Sequence, residues 1–287
     1  MSDFFYYVNR KDYDQIYNSL SPEHILIFVL FVLGFIGLIR LSKRQRNLRL
    51  LKRLEKISLT VMAAGQITYF IWFSYFQQGG DKWPLYACRI ACILLFFTYF
   101  VHWMPLEEYS IYTALYGGIS SVFWSTPKPF AFPHVTRIAF FATHIGLAYS
   151  ALLRILLHDE EIDRRSLKAA QKVNFAMIGI VLVLDIIFDW NYMFLMTPQL
   201  PTGYLQRSGS LPAQIAATVF VVFVYVFAVF AAWVFAVFLQ VYFSPKHWKE
   251  QDMRPSVRQS SKPEFIRRLT GRVKEIETER KEQGDKP

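Results

Sequence analysis

Seven runs of apolar residues occupy most of this 287-residue chain, and each is about as long as a membrane-crossing helix, which needs roughly 20 residues. Hydrophobic residues make up 53% of the sequence, more than is usual for a soluble globular domain. The runs comprise residues 24–41, 57–77, 84–102, 109–126, 135–157, 173–190 and 212–243. The sequence therefore predicts an all-α membrane protein, a bundle of seven transmembrane helices.

Lysine and arginine residues are distributed unevenly between the two sides that these runs define. One side carries 24 of them, in segment 40–56, between residues 164 and 172, and after residue 243, whereas the other side carries six. Cytoplasmic loops are enriched in Lys and Arg, so we expect the amino terminus outside the cell membrane and the carboxy terminus inside. An even number of crossings would put the basic first loop and the basic tail on opposite sides, so the charge count also favours seven.

The crossings divide the chain into an extracytoplasmic segment 1–23, a seven-helix transmembrane domain 24–243 and a basic cytoplasmic tail 244–287. The net charge of +10 does not indicate a nucleic-acid partner, because the basic residues lie between apolar runs rather than along one face of a soluble fold. The expected partners are membrane phospholipids, whose anionic headgroups would bind the tail.

An unpaired charge inside a membrane crossing is costly, so four ionisable residues within the predicted runs are the most informative ones. They are Arg89, His144, Asp185 and Asp189. The predicted topology places all four in the outer half of the bundle, with the two aspartates one helical turn apart. We expect Arg89 to form an ion pair with Asp185 or Asp189, either as a structural staple or as part of a site for a phosphate or carboxylate headgroup.

Cys88 and His144 are the pair that could carry chemistry. A thiol attacks only as its thiolate, which a nearby imidazole and the positive charge of Arg89 would favour. The alternative is that Cys88 is a small apolar residue and His144 a packing residue; Cys92, one turn deeper, needs no other explanation. Two cysteines four positions apart could not supply a four-ligand zinc site, so no metal is predicted.

Two predicted outer loops lead to the same end of the bundle. Loop 125–134 contains three prolines and ends at His134, and loop 191–211 is aromatic, contains proline and begins at Asn191. We predict that these loops cover the outer cavity and that His134 and Asn191 contact a bound substrate. The same residues would also serve as plain interfacial anchors.

Short segments in a characteristic order and spacing run from the third predicted helix to the seventh. They are Trp-Pro-Leu-Tyr-Ala-Cys at 83–88, Tyr-Gly-Gly at 116–118, Thr-Pro at 126–127, Phe-Ala-Phe-Pro-His at 130–134, Phe-Phe-Ala-Thr-His at 140–144, and Asn-Tyr-Met-Phe-Leu at 191–195 with Pro198 after it. In these segments the chain resembles the bacterial YwaF-like integral membrane proteins and their eukaryotic relatives, the transmembrane acyltransferases that make polyunsaturated ether phospholipids. The resemblance covers most of the chain except the tail.

The resemblance implies a lipid acyltransferase without a cofactor, with Cys88 as nucleophile and His144 as acid and base. Since acyl-CoA is absent outside the cell, the acyl donor would be a membrane phospholipid and the reaction a transacylation. The alternative is a lipid or anionic-solute binding or transport protein that uses the same outer cavity without chemistry. A retinal protein is disfavoured, because run 212–243 has no lysine for a Schiff base.

Overall fold

The computed structural model of the protein describes residues 21–43, 47–76, 83–123, 134–157, 162–196 and 211–244. This part of the chain is entirely helical and contains seven α-helices, one in each predicted run, which confirms the all-α class. The helices are α1 (Pro22–Ser42), α2 (Leu48–Phe76), α3 (Ala87–Thr98), α4 (Met104–Phe123), α5 (Val135–Leu157), α6 (Arg164–Phe188) and α7 (Leu211–Phe243), with a 3-10 helix at Tyr192–Phe194. The predicted tail, the amino-terminal segment and most of both predicted outer loops lie outside the described residues.

Five of these helices, α1, α2, α5, α6 and α7, are long and apolar enough to cross a membrane. The chain is therefore an integral membrane protein. Helix α3 has 12 residues and spans about 18 Å at 1.5 Å per residue, less than the roughly 30 Å of a hydrocarbon core. Helix α4 is long enough, but it carries two buried glutamates in its first turns.

Helices α4 and α5 form the centre of the bundle. In the most apolar part of α5, 72% of residues are buried, compared with 17% in α1 and 28% in α7. Outer helices instead expose large apolar side chains such as Ile187 and Phe223, as expected for surfaces that face lipid. The central helices are thus the ones that can hold polar groups away from lipid.

Helix α5 packs very closely on α2, and two glycines permit this approach. A Cβ atom on Gly146 of α5 would lie 2.9 Å from the backbone nitrogen of Met62, and one on Gly65 of α2 would lie 2.9 Å from the carbonyl oxygen of Ala139. Small residues at helix contacts allow backbones to approach, and this is a common basis of helix association in membranes.

Two helices begin well before the apolar runs that predicted them. Helix α2 begins at Leu48 instead of residue 57, because Leu51, Glu55 and Leu59 recur at helical spacing on its buried face. Helix α6 begins at Arg164 instead of residue 173, because the carboxylate of Asp163 caps it by accepting a hydrogen bond from Arg165 N–H at 2.7 Å. Many of the basic residues counted as loop therefore belong to helix ends.

The third and fourth helices also differ from their predicted runs. Helix α3 begins three residues after Pro84, because the segment before it is held extended by a hydrogen bond from Trp83 N–H to the Tyr192 hydroxyl, 3.1 Å. It ends at Thr98, whose hydroxyl turns back to the Leu95 carbonyl at 3.4 Å. Helix α4 begins at Met104, five residues before the predicted start.

The helices alternate in direction, so each end of the bundle gathers its own set of termini. The Arg154 end contains the starts of α2, α4 and α6 and the ends of α1, α5 and α7. It is held by hydrogen bonds such as Ser42 hydroxyl to Phe243 carbonyl, 2.9 Å, and Ser244 hydroxyl to Leu156 carbonyl, 3.3 Å. The Cys88 end contains the starts of α3 and α5, the end of α6 and the 3-10 helix.

Candidate functional site

Cys88 is the second residue of α3, in the first turn of the helix. Tyr86 is the N-cap residue, and its carbonyl oxygen accepts hydrogen bonds from the N–H groups of Arg89 and Ile90, each at 2.9 Å. The N-terminus of a helix stabilises negative charge through its dipole and its free N–H groups. Residue Cys88 is half-buried and packs against the core, whereas Cys92 is buried. Of the two cysteines, Cys88 is the one that lies at a helix N-terminus.

The guanidinium group of Arg89 lies in a box of aromatic rings. Its carbon atom is 4.4 Å from the ring centroid of Tyr69, 5.2 Å from that of Tyr86 and 5.9 Å from that of Phe73. Its Nη1 group donates to the carbonyl oxygen of Trp83 at 3.3 Å. Cation–π contacts stabilise a cation that has left water, so the rings supply part of the stabilisation that Arg89 needs.

Asp185, one of the two predicted partners of Arg89, binds the turn after α6. It is fully buried, and one carboxylate oxygen accepts a hydrogen bond from the backbone N–H of Tyr192 at 3.0 Å. The C-cap residue of α6 is Asp189, whose left-handed backbone conformation (φ 52) turns the chain back so that Tyr192 reaches Asp185. Asp185 therefore caps the turn after α6, and the alternative pairing of Arg89 with Asp189 stays a prediction. The Asp189 side chain is exposed at the helix end.

His144 lies in the middle of α5 and is 6% exposed. Its Nδ1 atom is 2.8 Å from the carbonyl oxygen of Phe140, and the two rings are 4.1 Å apart. A carbonyl oxygen can only accept, so Nδ1 carries the proton and Nε2 carries the lone pair. His144 is thus held in the tautomer that a general base needs at Nε2.

Two adjacent glycines of α4 bring the segments of Cys88 and His144 together. A Cβ atom on Gly117 would lie 3.6 Å from the Cβ atom of Cys88, and one on Gly118 would lie 2.8 Å from the carbonyl oxygen of His144. Because the two glycines face α3 and α5 respectively, both neighbouring helices approach α4 at the same level.

Alanine substitutions at these glycines should have different effects. The new Cβ atom of Gly118→Ala would lie 2.7 Å from the backbone nitrogen of Ala148, which cannot move alone, so we expect a loss of about 1–3 kcal/mol of stability. Gly117→Ala meets only an ordinary contact with Cys88 and should leave stability unchanged or slightly raised. Thermal unfolding midpoints in detergent measure both; equal midpoints for the two variants would contradict the packing described.

His134 and Asn191, the predicted substrate contacts, have structural hydrogen bonds at the Cys88 end. The Nδ1 atom of His134 accepts from the backbone N–H of Thr136 at 3.3 Å and lies 2.8 Å from its hydroxyl, at the start of α5. Burial lowers the pKa of His134, so the ring is neutral at pH 7. The side-chain oxygen of Asn191 accepts from Met196 N–H at 3.0 Å. These contacts shape the two segments that border the site.

A second group of buried charges lies at the Arg154 end, and the sequence analysis did not predict it. Arg154 Nε is 3.3 Å from a carboxylate oxygen of Glu55, and Nη1 is 3.4 Å from one of Glu107. The other oxygen of Glu107 is 3.4 Å from His102 Nδ1, and the guanidinium carbon lies 5.2 Å from the ring centroid of Tyr99. An arginine inside the apolar run 135–157 was the signal that could have revealed this group.

Within the described ranges, no three His, Cys, Asp or Glu side chains are close enough to hold a metal ion together. The candidate site consists of the Cys88 thiol at a helix N-terminus, the His144 imidazole with its lone pair on Nε2, and the buried guanidinium of Arg89.

The fold and this group of residues define an integral membrane protein with a helical bundle and a polar site between its central helices. The model of the TMEM164 family, a family of transmembrane proteins, matches residues 19–237, and the chain belongs to that family. No curated protein and no solved structure matches the chain. The matched range ends within α7, so it includes every residue of the candidate site.

Proposed function

We propose that this protein is a membrane-embedded phospholipid acyltransferase, a CoA-independent transacylase with Cys88 as nucleophile and His144 as general base and acid. The observation that supports the proposal is the glycine pair of α4, because Gly117 faces the Cβ atom of Cys88 on α3 and Gly118 faces the backbone carbonyl of His144 on α5. The resemblance to the transmembrane acyltransferases, described above, supports the same two roles.

The proposed topology has seven crossings of the cell membrane, with the amino terminus outside and the tail inside. It rests on the excess of Lys and Arg in the segments at one end. In this orientation the Cys88 end faces the outer leaflet, where acyl-CoA is absent. A phospholipid in that leaflet is then both the donor and the natural substrate class.

In the first step, the sulfur of Cys88 attacks the ester carbonyl carbon of the donor phospholipid while the thiol proton passes to Nε2 of His144. The ester C–O bond breaks, and the departing lysophospholipid oxygen takes that proton from His144. The products are a thioester on Cys88 and a lysophospholipid. A free thiolate inside a protein lacks solvating water and is therefore high in energy. Transfer of the proton to His144 during the attack lowers the activation barrier, because no free thiolate has to form first.

In the second step, a hydroxyl group of the acceptor lysophospholipid gives its proton to His144 and attacks the thioester carbonyl. The C–S bond breaks, and the sulfur recovers the proton from His144. Arg89 stabilises the negative charge that develops on the reacting carbonyl oxygen in both steps, because it is the buried cation next to Cys88 in α3. Asp185 contributes by holding the turn at Tyr192, whose hydroxyl binds Trp83 N–H just before α3.

The test is mass spectrometry of the purified wild-type protein after incubation with a phospholipid that carries a deuterated acyl chain. We expect an adduct on the protein that has the mass of the labelled acyl group and is removed by hydroxylamine, together with transfer of the label to an added lysophospholipid. Without adduct or transfer from a panel of phospholipid classes, the proposal fails. Binding or transport of an anionic lipid, dependent on Arg89 but not on Cys88, would then take its place.

Replacing His144 by alanine should lower the rate of label transfer by about 10²–10⁴-fold, because the step loses its proton acceptor. His144 is buried, so the unfolding temperature of the variant is measured beside its transfer rate to show that it folds. The control variant is His102→Gln, which replaces an exposed histidine at the Arg154 end. It should transfer the label at the wild-type rate. Equal rates for His144→Ala and wild type would remove His144 from the mechanism.

A further inference from the structure

The segment that follows α6, residues 189–195, has an unusual backbone, and we call it the outer strap. Three of its residues have left-handed conformations: Asp189 (φ 52), Met193 (φ 53) and Phe194 (φ 58). No other non-glycine residue in the described part of the chain has a positive φ. Strained residues of this kind persist only where surrounding contacts hold them, and they cluster at functional sites. The outer strap is therefore held by its surroundings.

Side chains from two helices hold the outer strap. From α7, the Thr218 hydroxyl donates to the Leu195 carbonyl at 2.8 Å, and the Tyr225 hydroxyl donates to the Met193 carbonyl at 3.2 Å. From α6, Asp185 accepts the hydrogen bond of the strap backbone described above. These contacts fix the strap on both sides, so its side chains have defined positions relative to the start of α3.

Tyr192 connects the outer strap to the candidate site. Its hydroxyl accepts a hydrogen bond from Trp83 N–H at 3.1 Å, and the carbonyl oxygen of Trp83 accepts one from Arg89 Nη1 at 3.3 Å. The ring of Tyr86 contacts both ends of this connection, with its centroid 5.0 Å from that of Tyr192 and 5.2 Å from the guanidinium carbon. A change at Tyr192 would therefore reach the groups that hold Arg89.

We propose that Tyr192 is a positioning residue, which acts through Trp83 to fix the guanidinium of Arg89. The inference rests on the proposed acyl transfer and extends it, because Tyr192 does not touch the substrate. It sets where Arg89 meets the charge that develops on the reacting carbonyl oxygen. Catalysis is sensitive to such placement at the scale of about 1 Å. A residue that only stabilised the fold would affect the rate independently of Arg89.

The test is Tyr192→Phe, which removes the hydroxyl acceptor and keeps the ring. In the assay with the deuterated phospholipid, we expect kcat to fall by about tenfold and KM to stay within about twofold, because a group that acts in the transition state is misplaced. The unfolding temperature, measured for each variant, should stay close to that of the wild type. A wild-type kcat in Tyr192→Phe would overturn the proposal.

The same substitution in an Arg89→Lys background separates positioning from a structural role. Lysine keeps the positive charge but lacks the Nη1 group that binds Trp83. In this background we expect Tyr192→Phe to lower kcat by less than about twofold, because effects on one connected group are not additive. Equal factors in the two backgrounds would show that Tyr192 does not act through Arg89, and would overturn the proposal.

Hydrogen–deuterium exchange tests the connection without turnover. A peptide that contains Trp83 should take up deuterium faster in Tyr192→Phe than in the wild type, because its N–H has lost the acceptor. A peptide from the middle of α5 should be unchanged. Equal uptake by the Trp83 peptide in the two proteins would contradict the proposed connection.

Tyr149→Phe is the matched control, because it makes the same chemical change on the side of α5 that faces α1. It removes a hydroxyl that donates to the Phe31 carbonyl at 2.8 Å. It should keep the wild-type kcat and the wild-type exchange of the Trp83 peptide. Failure of the two proposals is distinguishable. A wild type that transfers no label removes the acyl transfer and this role with it, whereas a wild type and Tyr192→Phe that transfer equally remove only the role of Tyr192.

Discussion

Replacement of Cys88 by alanine is expected to abolish both the hydroxylamine-labile acyl adduct and the transfer of the labelled chain. Loss of a covalent nucleophile removes the intermediate itself, so the rate should fall by a factor on the order of 10³ or more. The fold should tolerate the change, because it removes a single sulfur atom from a half-buried residue in the first turn of α3. Mass spectrometry and the label-transfer assay measure the two losses independently.

Cys92→Ala is the matched control for this experiment. Cys92 lies one turn further along α3 and is 2% exposed, so it offers the same chemical change without access to substrate. It should keep the adduct and the transfer rate. Acyl transfer that survives Cys88→Ala at the wild-type rate would show that Cys88 is a packing residue, which was the other possibility open from the sequence.

Replacement of Arg154 by methionine should destabilise the protein by roughly 3–5 kcal/mol, the usual cost of removing one partner from a buried group of charges. The side chain is 11% exposed, and it is the cation that both Glu55 and Glu107 contact. Methionine has a similar length and cannot compensate the two carboxylates. The effect is measured as a change in the midpoint of thermal unfolding in detergent. Unfolding is monitored as the loss of the monodisperse peak in size-exclusion chromatography.

Arg165→Met is the control for Arg154, because Arg165 is exposed at the start of α6 near the same end of the bundle. It should unfold close to the wild-type temperature, since exposed charges contribute little. If both variants unfold at the same temperature, the Arg154 group does not contribute to stability in the way proposed.

The helices were predictable from the sequence because the signal is local. An apolar run of sufficient length forms a helix in a membrane whatever its neighbours are, since lipid offers no partners for backbone N–H and C=O groups. The errors fell where that reasoning does not apply. Helix α2 extends through a charged segment that packs one face on the bundle, and helix α6 extends to a start that is capped by Asp163. A hydropathy pattern shows neither the packed face nor the cap.

The candidate site was predictable only in part. Arg89 and His144 stood out as ionisable residues that seldom occur in an apolar helix, and Cys88 stood out because it is a thiol next to Arg89. The start of α3, which places Cys88 in a first turn, depends on contacts with the distant residue Tyr192. The role of Gly117 and Gly118 likewise depends on which helices pack against α4.

The sequence by itself determined that the chain is a helical membrane protein and identified some of the polar residues that its apolar helices contain, although not Arg154. Only the tertiary structure decided which groups stabilise those residues. Arg89 lies among aromatic rings, Asp185 binds the backbone N–H of Tyr192, and Arg154 lies between Glu55 and Glu107. A buried charged group can pair only with groups that lie within a few ångströms of it. The depth and rotation of the neighbouring helices decide which groups those are, and both are properties of the packed bundle.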